Sequence, residues 1–221
     1  VDLTSIIYRI AIFAPPLLLA ITVHEAAHGY VARYFGDGTA AALGRLTLNP
    51  LKHIDPVGTI LLPAVLYFTT GMAFGYAKPV PVRFDCLRNP KRDMIWVALA
   101  GPVSNLIQAL LWAIVGALLL QTQGAGDFLL GMCGAGIAVN LMLFALNLFP
   151  LPPLDGGRVL VGLLPRKAAI SVSRIEPWGI WIAAALLMTG VLGNLWMRPL
   201  VSVTLNLMAG LLPPLKVLLA P

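Results

Sequence analysis

Apolar residues run along this chain in long stretches divided by brief polar loops, unlike the short alternation of a soluble sheet domain. The first stretch predicts a helix over about residues 6–34, bent near Pro15-Pro16, where a ring clashes with the preceding turn and a donor is lost. Gly36-Asp37-Gly38 ends it. Residues 39–49 lack a helical stripe and alternate in part through Arg45-Leu46-Thr47-Leu48, which predicts a short strand or hairpin. Residues 57–74 are apolar and about long enough to span a bilayer, although Pro63 interrupts them. The prolines of residues 76–82 (YAKPVPV) impose an extended backbone that could accept another strand. Residues 94–120 and 128–149 read as membrane helices. The first contains Gly101-Pro102-Val103-Ser104-Asn105, small and polar residues that admit a neighbouring helix and offer it a hydrogen bond; Asn140 and Asn147 lie inside the second. Two last apolar segments, 180–197 and 200–219, are separated only by Arg198-Pro199 and read as scaffold, since neither carries an ionisable residue in its interior.

Composition agrees with this pattern. With 59% hydrophobic and 11% charged residues among 221, and a mean hydropathy of +0.88, the chain cannot cover its apolar surface with its own polar groups. It reads as an all-α, multi-pass integral membrane protein with a short membrane-associated β element, in one domain over residues 1–221. The net charge of +6 fits basic cytoplasmic loops better than nucleic acid, so no nucleic-acid partner is expected and membrane lipid is. Cys86 and Cys133 form no CxxC pair, which leaves a disulfide framework and a thiolate metal site unsupported. A histidine motif follows the first apolar stretch where a cleavage site would stand, so no removable signal peptide is expected. His53, beside Lys52 and Asp55, reads as an exposed loop residue; Trp96, Trp178, Trp181 and Trp196 lie near span ends and suit interfacial anchoring.

That motif is His24-Glu25-Ala26-Ala27-His28. Four residues apart on a helix, His24 and His28 point the same way and can take one zinc ion, with Glu25 placed as the base that accepts a proton from water. At 1.5 Å per residue His24 lies roughly 13 Å in from Arg33, inside the membrane boundary. The bland alternative is a pair of helix histidines with no metal. A third ligand is needed, and residues 147–158 (NLFPLPPLDGGR) offer Asp155 after a proline-rich break. Taken locally, Asp155 could simply cap a short helix. Together with histidines at membrane depth, it completes a His, His, Asp zinc site.

With HEAAH, Gly101-Pro102-Val103-Ser104-Asn105 and the Asn147 to Gly157 run in this order, the chain resembles the site-2 protease family of intramembrane zinc metalloproteases. The resemblance implies a three-helix catalytic core, here about residues 6–165, followed by a helical hairpin over about 178–220. It implies one zinc per chain on His24, His28 and Asp155, Glu25 as catalytic base, Asn147 as a helper near the scissile carbonyl or the metal, and cleavage of a substrate's transmembrane segment in regulated intramembrane proteolysis. The partner is then a transmembrane protein or peptide. The sequence departs from several members in having no PDZ or CBS domain and looks like the compact subgroup with a Lys-Pro-Val-Pro-Val segment. A divalent-metal transporter built on the same cluster is the alternative, but its ionisable residues should recur at several depths. A catalytically dead relative acting as a scaffold is a second.

Topology follows by parity. For Asp155 to meet the histidines, an even number of crossings must separate them; residues 94–120 and 128–149 supply two, so residues 57–74 should re-enter or lie along the core. The loops holding Arg45, Lys52 and residues 78–92 are basic, which puts the catalytic end in the cytoplasm and the N-terminus outside, in the inner membrane of a prokaryote.

Overall fold

The computed structural model describes residues 2–61, 78–122 and 126–215, and among these it is all-helical. Helix α1 spans Leu3–Tyr34 and runs through both prolines; it starts earlier than the apolar pattern implies because Asp2 caps it, its side chain accepting the Ser5 N–H at 2.7 Å. Next comes α2, a single turn over Thr39–Ala42. Helix α3 covers Pro90–Leu119 and α4 covers Asp127–Asn147. The start of α3 precedes the expected one by a turn, since Pro90 suits a first helical position and Asp93 accepts the Asn89 N–H at 2.7 Å. Short helices α5 (Asp155–Leu163) and α6 (Arg166–Ser173) lead to α7 (Glu176–Met188), and α8 (Arg198–Leu211) closes the bundle. Three helices, α1, α3 and α4, are long and apolar enough to cross a membrane; α6 and α7, bent by 65°, make a fourth if taken as one span.

The expected β element is not found among the described residues. Asp37 accepts the Thr39 N–H at 2.9 Å and turns the chain into α2, so residues 39–42 are helical, and residues 43–49 have no strand partner there. The expected division at Arg198-Pro199 also moves. Gly190, at φ +74°, and Thr189, whose hydroxyl donates to the Ala185 carbonyl, mark the break instead. A π-helical turn over Gly193–Met197 then runs directly into α8, where Pro199 has no N–H to misplace.

Helices α1, α3 and α4 pack on one another, and small residues set their spacing. Ala109 and Ala113 of α3, Ile137 and Leu141 of α4, and Met208 of α8 form one buried cluster. Gly136 admits the Trp112 ring, whose nearest atom would lie 2.5 Å from a Cβ at that position. Trp196 is not an interfacial anchor: its indole N–H donates to the Ala145 carbonyl at 2.8 Å and its ring meets Phe149 edge-on. Trp96, Trp178 and Trp181 are more than half exposed, as anchors should be. His53 is buried, not exposed, because its Nε2 pairs with the Thr47 carbonyl at 2.9 Å and closes the loop on itself.

The segment expected to re-enter, residues 57–74, lies mostly outside the described residues. Its flanks are described. The Lys78 N–H donates to the His53 carbonyl at 2.9 Å, the Arg45 guanidinium reaches the Lys78 and Pro79 carbonyls, and the Arg88 N–H donates to Phe35 at 2.9 Å. Both basic loops therefore sit at the same end of α1.

Asp37 fastens this end. Its second oxygen accepts the Arg83 N–H at 2.7 Å. Burial pushes the carboxyl's pKa up, but the hydrogen bonds from Thr39 and Arg83 outweigh it and hold the group below its usual value. A depressed pKa means the clamp is intact at neutral pH, weakens below the unfolded value of about 3.9, and is lost as pH falls through the folded value. We expect the Arg83 amide to stay protected from hydrogen exchange near pH 6 and to lose that protection below about pH 4, with Asp37→Ala losing it at every pH.

Candidate metal centre

His24 and His28 lie on the buried side of α1, one turn apart, and Asp155 meets them from the first turn of α5. Asp155 Oδ2 is 3.2 Å from His24 Nε2 and 3.3 Å from His28 Nε2, and the two Nε2 atoms are 3.1 Å apart. All three residues are buried. Asp155 is not the helix cap that local sequence permits: the N-cap position is Leu154, and the carboxylate turns to the histidines. The break that delivers it is tightly folded. Cβ atoms at Gly156 and Gly157 would overlap the backbone of Leu148 and of Leu151-Pro152, so the two glycines after the aspartate are steric requirements.

The outer nitrogens fix the tautomers. His28 Nδ1 lies 2.7 Å from the Val97 carbonyl, which can only accept, so Nδ1 carries the proton. His24 Nδ1 lies 2.6 Å from Asn105 Oδ1. That amide cannot be reversed, because its Nδ2 donates to Asn140 Oδ1 at 2.9 Å and to the Ala20 carbonyl at 3.3 Å, while Asn140 in turn donates to Gly136. Both Nε2 atoms are therefore acceptors in the neutral imidazoles, and the 3.1 Å between them is no hydrogen bond. Asp155 Oδ2 is buried and has no hydrogen-bond partner. Three lone pairs thus converge in a space without a donor, an arrangement that repels itself unless a cation sits among them. Their separations match the edge of a tetrahedron with arms of about 2 Å, the zinc distance for nitrogen and oxygen ligands. The donor set fits a metal, and zinc in particular.

Helix α3 makes this possible by coming close. A Cβ on Gly101 would lie 2.5 and 2.6 Å from His24 Cε1 and Nε2, and closer still to His28 Nε2. Glu25, half-buried, stands outside the trio, and its Oε2 accepts the Val80 N–H at 2.7 Å. Beside it opens a cavity of about 260 Å³ lined by the trio and by Glu25, Val80, Asn147, Leu154, Arg158 and Ile180. The five residues singled out from the sequence thus line one cavity. Asn147 holds its own helix through Nδ2 to the Leu143 carbonyl at 3.1 Å.

Sequence reasoning missed several participants. Asn105 and Asn140 read as generic interhelical hydrogen-bonders, and no local signal marks them as the support of a histidine. The Val97 carbonyl and the Val80 N–H are backbone groups, invisible in residue identity. Arg158 carries no signal in the sequence beyond its charge, yet it lines the cavity, with its guanidinium 5.4 Å from the Phe84 ring centre. Because Asn105 Oδ1 sets the His24 tautomer, Asn105→Leu is expected to weaken zinc binding by about 10–100-fold, read by competition with a fluorescent chelator.

Membrane-length helices enclosing a His, His, Asp group with a glutamate beside it define the class of membrane-embedded metal-dependent hydrolases. Comparison with known proteins narrows this. The chain is 41% identical over 182 residues to YwhC of Bacillus subtilis, covering 78% of each chain, and 32% identical over 189 residues to Rip2 of Mycolicibacterium smegmatis, covering 83% of this chain and 69% of that one. Both carry the name "Putative zinc metalloprotease", as does sll0528 of Synechocystis, 32% identical over 111 residues, 45% of this chain and 28% of that protein. No family model and no solved structure matches the chain. The chain belongs to the site-2 protease family of zinc metalloproteases.

Proposed function

We propose that the protein is a zinc-dependent intramembrane endopeptidase that hydrolyses peptide bonds in or near transmembrane segments, with His24, His28 and Asp155 as zinc ligands, one ion per chain. The observation that carries this reading is the convergence of three buried, donor-free lone pairs beside a glutamate. When bound, zinc supplies Lewis acidity, polarising a carbonyl and making water acidic near neutral pH. The chain's own groups do the rest. Glu25 accepts the proton of the attacking water and returns it to the leaving nitrogen. Asn147 faces the same cavity and offers its amide to the scissile carbonyl. Asn105 and the Val97 carbonyl hold the imidazoles in the tautomer that leaves both Nε2 atoms available.

A helical substrate hides its carbonyls in its own hydrogen bonds and must unwind to be cut. Residues 79–82 run along the cavity without helical structure, so a substrate strand laid beside them would regain backbone bonds there. Val82→Pro is expected to slow cleavage about tenfold while leaving zinc content unchanged, the cost of about one lost strand hydrogen bond; an unchanged rate would remove this strand from the account. The basic loops at the catalytic end, against a loop over residues 121–127 with no basic residue, support a cytoplasmic orientation of that end in a prokaryotic inner membrane.

The test is metal removal and return. Chelation of the purified, vesicle-reconstituted protein should abolish cleavage of a transmembrane substrate, and stoichiometric zinc should restore it. Cleavage that survives chelation overturns the proposal, as does zinc flux into vesicles without any cleavage.

A further inference from the structure

Apart from the metal centre, the chain has a larger, open groove of about 650 Å³, a volume in the range of small-molecule sites. It lies between the first turns of α3 and helix α6, and its walls are apolar: Phe84, Met94, Val161, Ala169 and Ile170. Its rim is cationic. Lys91, Arg166 and Arg174 line it and have no acidic partner among the described residues, whereas the one acid at the groove, Asp85, is neutralised by Arg83 at 2.8 Å.

Two observations set its depth. Trp96, one turn past Lys91 on α3, and Trp178, four residues past Arg174, are 53% and 68% exposed, as befits rings at headgroup level. Helix α6 meets α7 at 65°, so it turns away from the direction of the apolar helix that follows it and keeps its basic residues beside the groove. Lys91 and Met94 on α3, and Arg174 ahead of α7, all precede these rings in the chain, which sets the groove at headgroup level on this reading.

We infer that this groove binds one anionic phospholipid. Its phosphate lies among Lys91, Arg166 and Arg174, and an acyl chain lies against Met94, Val161, Ala169 and Ile170. Three cations without acidic partners among the described residues, of which Lys91 already donates one hydrogen bond to the Leu164 carbonyl, surround an apolar trough and match a molecule that is anionic at one end and aliphatic at the other; basic pockets between membrane helices favour such headgroups. The lipid would brace α6 against α3 from outside. None of these residues belongs to the metal centre, so the inference stands apart from the catalytic reading.

The test uses the full chain in detergent with equal amounts of phosphatidylglycerol and phosphatidylcholine, read by native mass spectrometry. The wild type should carry one phosphatidylglycerol in clear preference. Arg166→Gln with Arg174→Gln should lower that preference about thirtyfold, the effect of two interfacial cations. Ala169→Trp keeps every charge but fills the trough, and it should also release the lipid. Helicity and elution volume identify variants that remain folded, and Lys91→Gln is the substitute if the double variant does not. Equal retention of the two lipids overturns the proposal. So does a folded Ala169→Trp that still retains phosphatidylglycerol, which would make the binding charge alone, or full displacement of the lipid by inorganic phosphate, or an acidic peptide found in the lipid's place.

Discussion

The variant Glu25→Gln should keep its zinc and lose cleavage by a factor of about 10²–10⁴, the range expected when a positioned general base is removed. The reason lies in how Glu25 differs from its neighbours. His24, His28 and Asp155 turn their acceptor atoms toward one another within 3.3 Å, whereas Glu25 is not among the converging groups and gives one oxygen to the Val80 N–H. Glutamine has the same shape, and its amide oxygen can still accept from Val80. What it lacks is affinity for a proton. Metal content by atomic absorption and cleavage of a reconstituted transmembrane substrate should therefore part company. Loss of zinc would make Glu25 a ligand, and unchanged cleavage would place the base elsewhere. The inactive protein should also hold its substrate, which gives a direct route to identifying it.

An alanine at position 101 should be nearly as damaging, for an unrelated reason. Gly101→Ala adds one methyl group, far from any proton transfer, on a helix that favours alanine by about 1 kcal/mol. Yet that methyl would overlap both imidazoles, and the neighbours it meets are rings pinned at their far sides by Asn105 and the Val97 carbonyl. Neither ring can retreat without giving up its hydrogen bond. Overpacking of this kind costs about 1–3 kcal/mol, and here it falls on the geometry of the ligands. We expect zinc binding to drop about 5- to 150-fold, at tenfold for each 1.4 kcal/mol lost, and cleavage to fall with it. Wild-type zinc affinity in Gly101→Ala would mean that α3 does not approach α1 as described.

These two variants show what can be read in a sequence and what cannot. The place of Glu25 beside the histidines was legible because a helix fixes the relation of residues one and four apart, and the candidacy of Asp155 was legible because a carboxylate after a broken membrane helix has few uses. The long apolar helices were legible by length. Gly101 was recognised only as a small residue that lets helices approach; which groups it faces depends on the register of α3 against α1. The same holds for Asn105 and Asn140, two of several membrane asparagines until packing joins them into one chain ending on His24. Residues 39–49 misled because alternation over four residues is weak, and the side-chain turn that Asp37 makes with the Thr39 N–H outweighed it. Arg198-Pro199 misled because a charge and a proline look like a loop, yet proline is tolerated where a π-helical turn meets an α-helix. The buried state of His53 depends on a carbonyl six residues away.

The support of the two histidines by α3, and the arrival of Asp155 only after α4, has a consequence for biogenesis. A chain emerging from the ribosome presents HEAAH early, but at that stage it has no acceptors for the outer nitrogens and no third ligand. The centre comes into being only when α3 has docked and the turn beyond α4 has closed, Asp155 following His24 by 131 positions (155 − 24). On the proposed reading a half-inserted protein is thereby harmless to the membrane proteins being inserted beside it, and its hydrolytic power arrives together with its finished bundle.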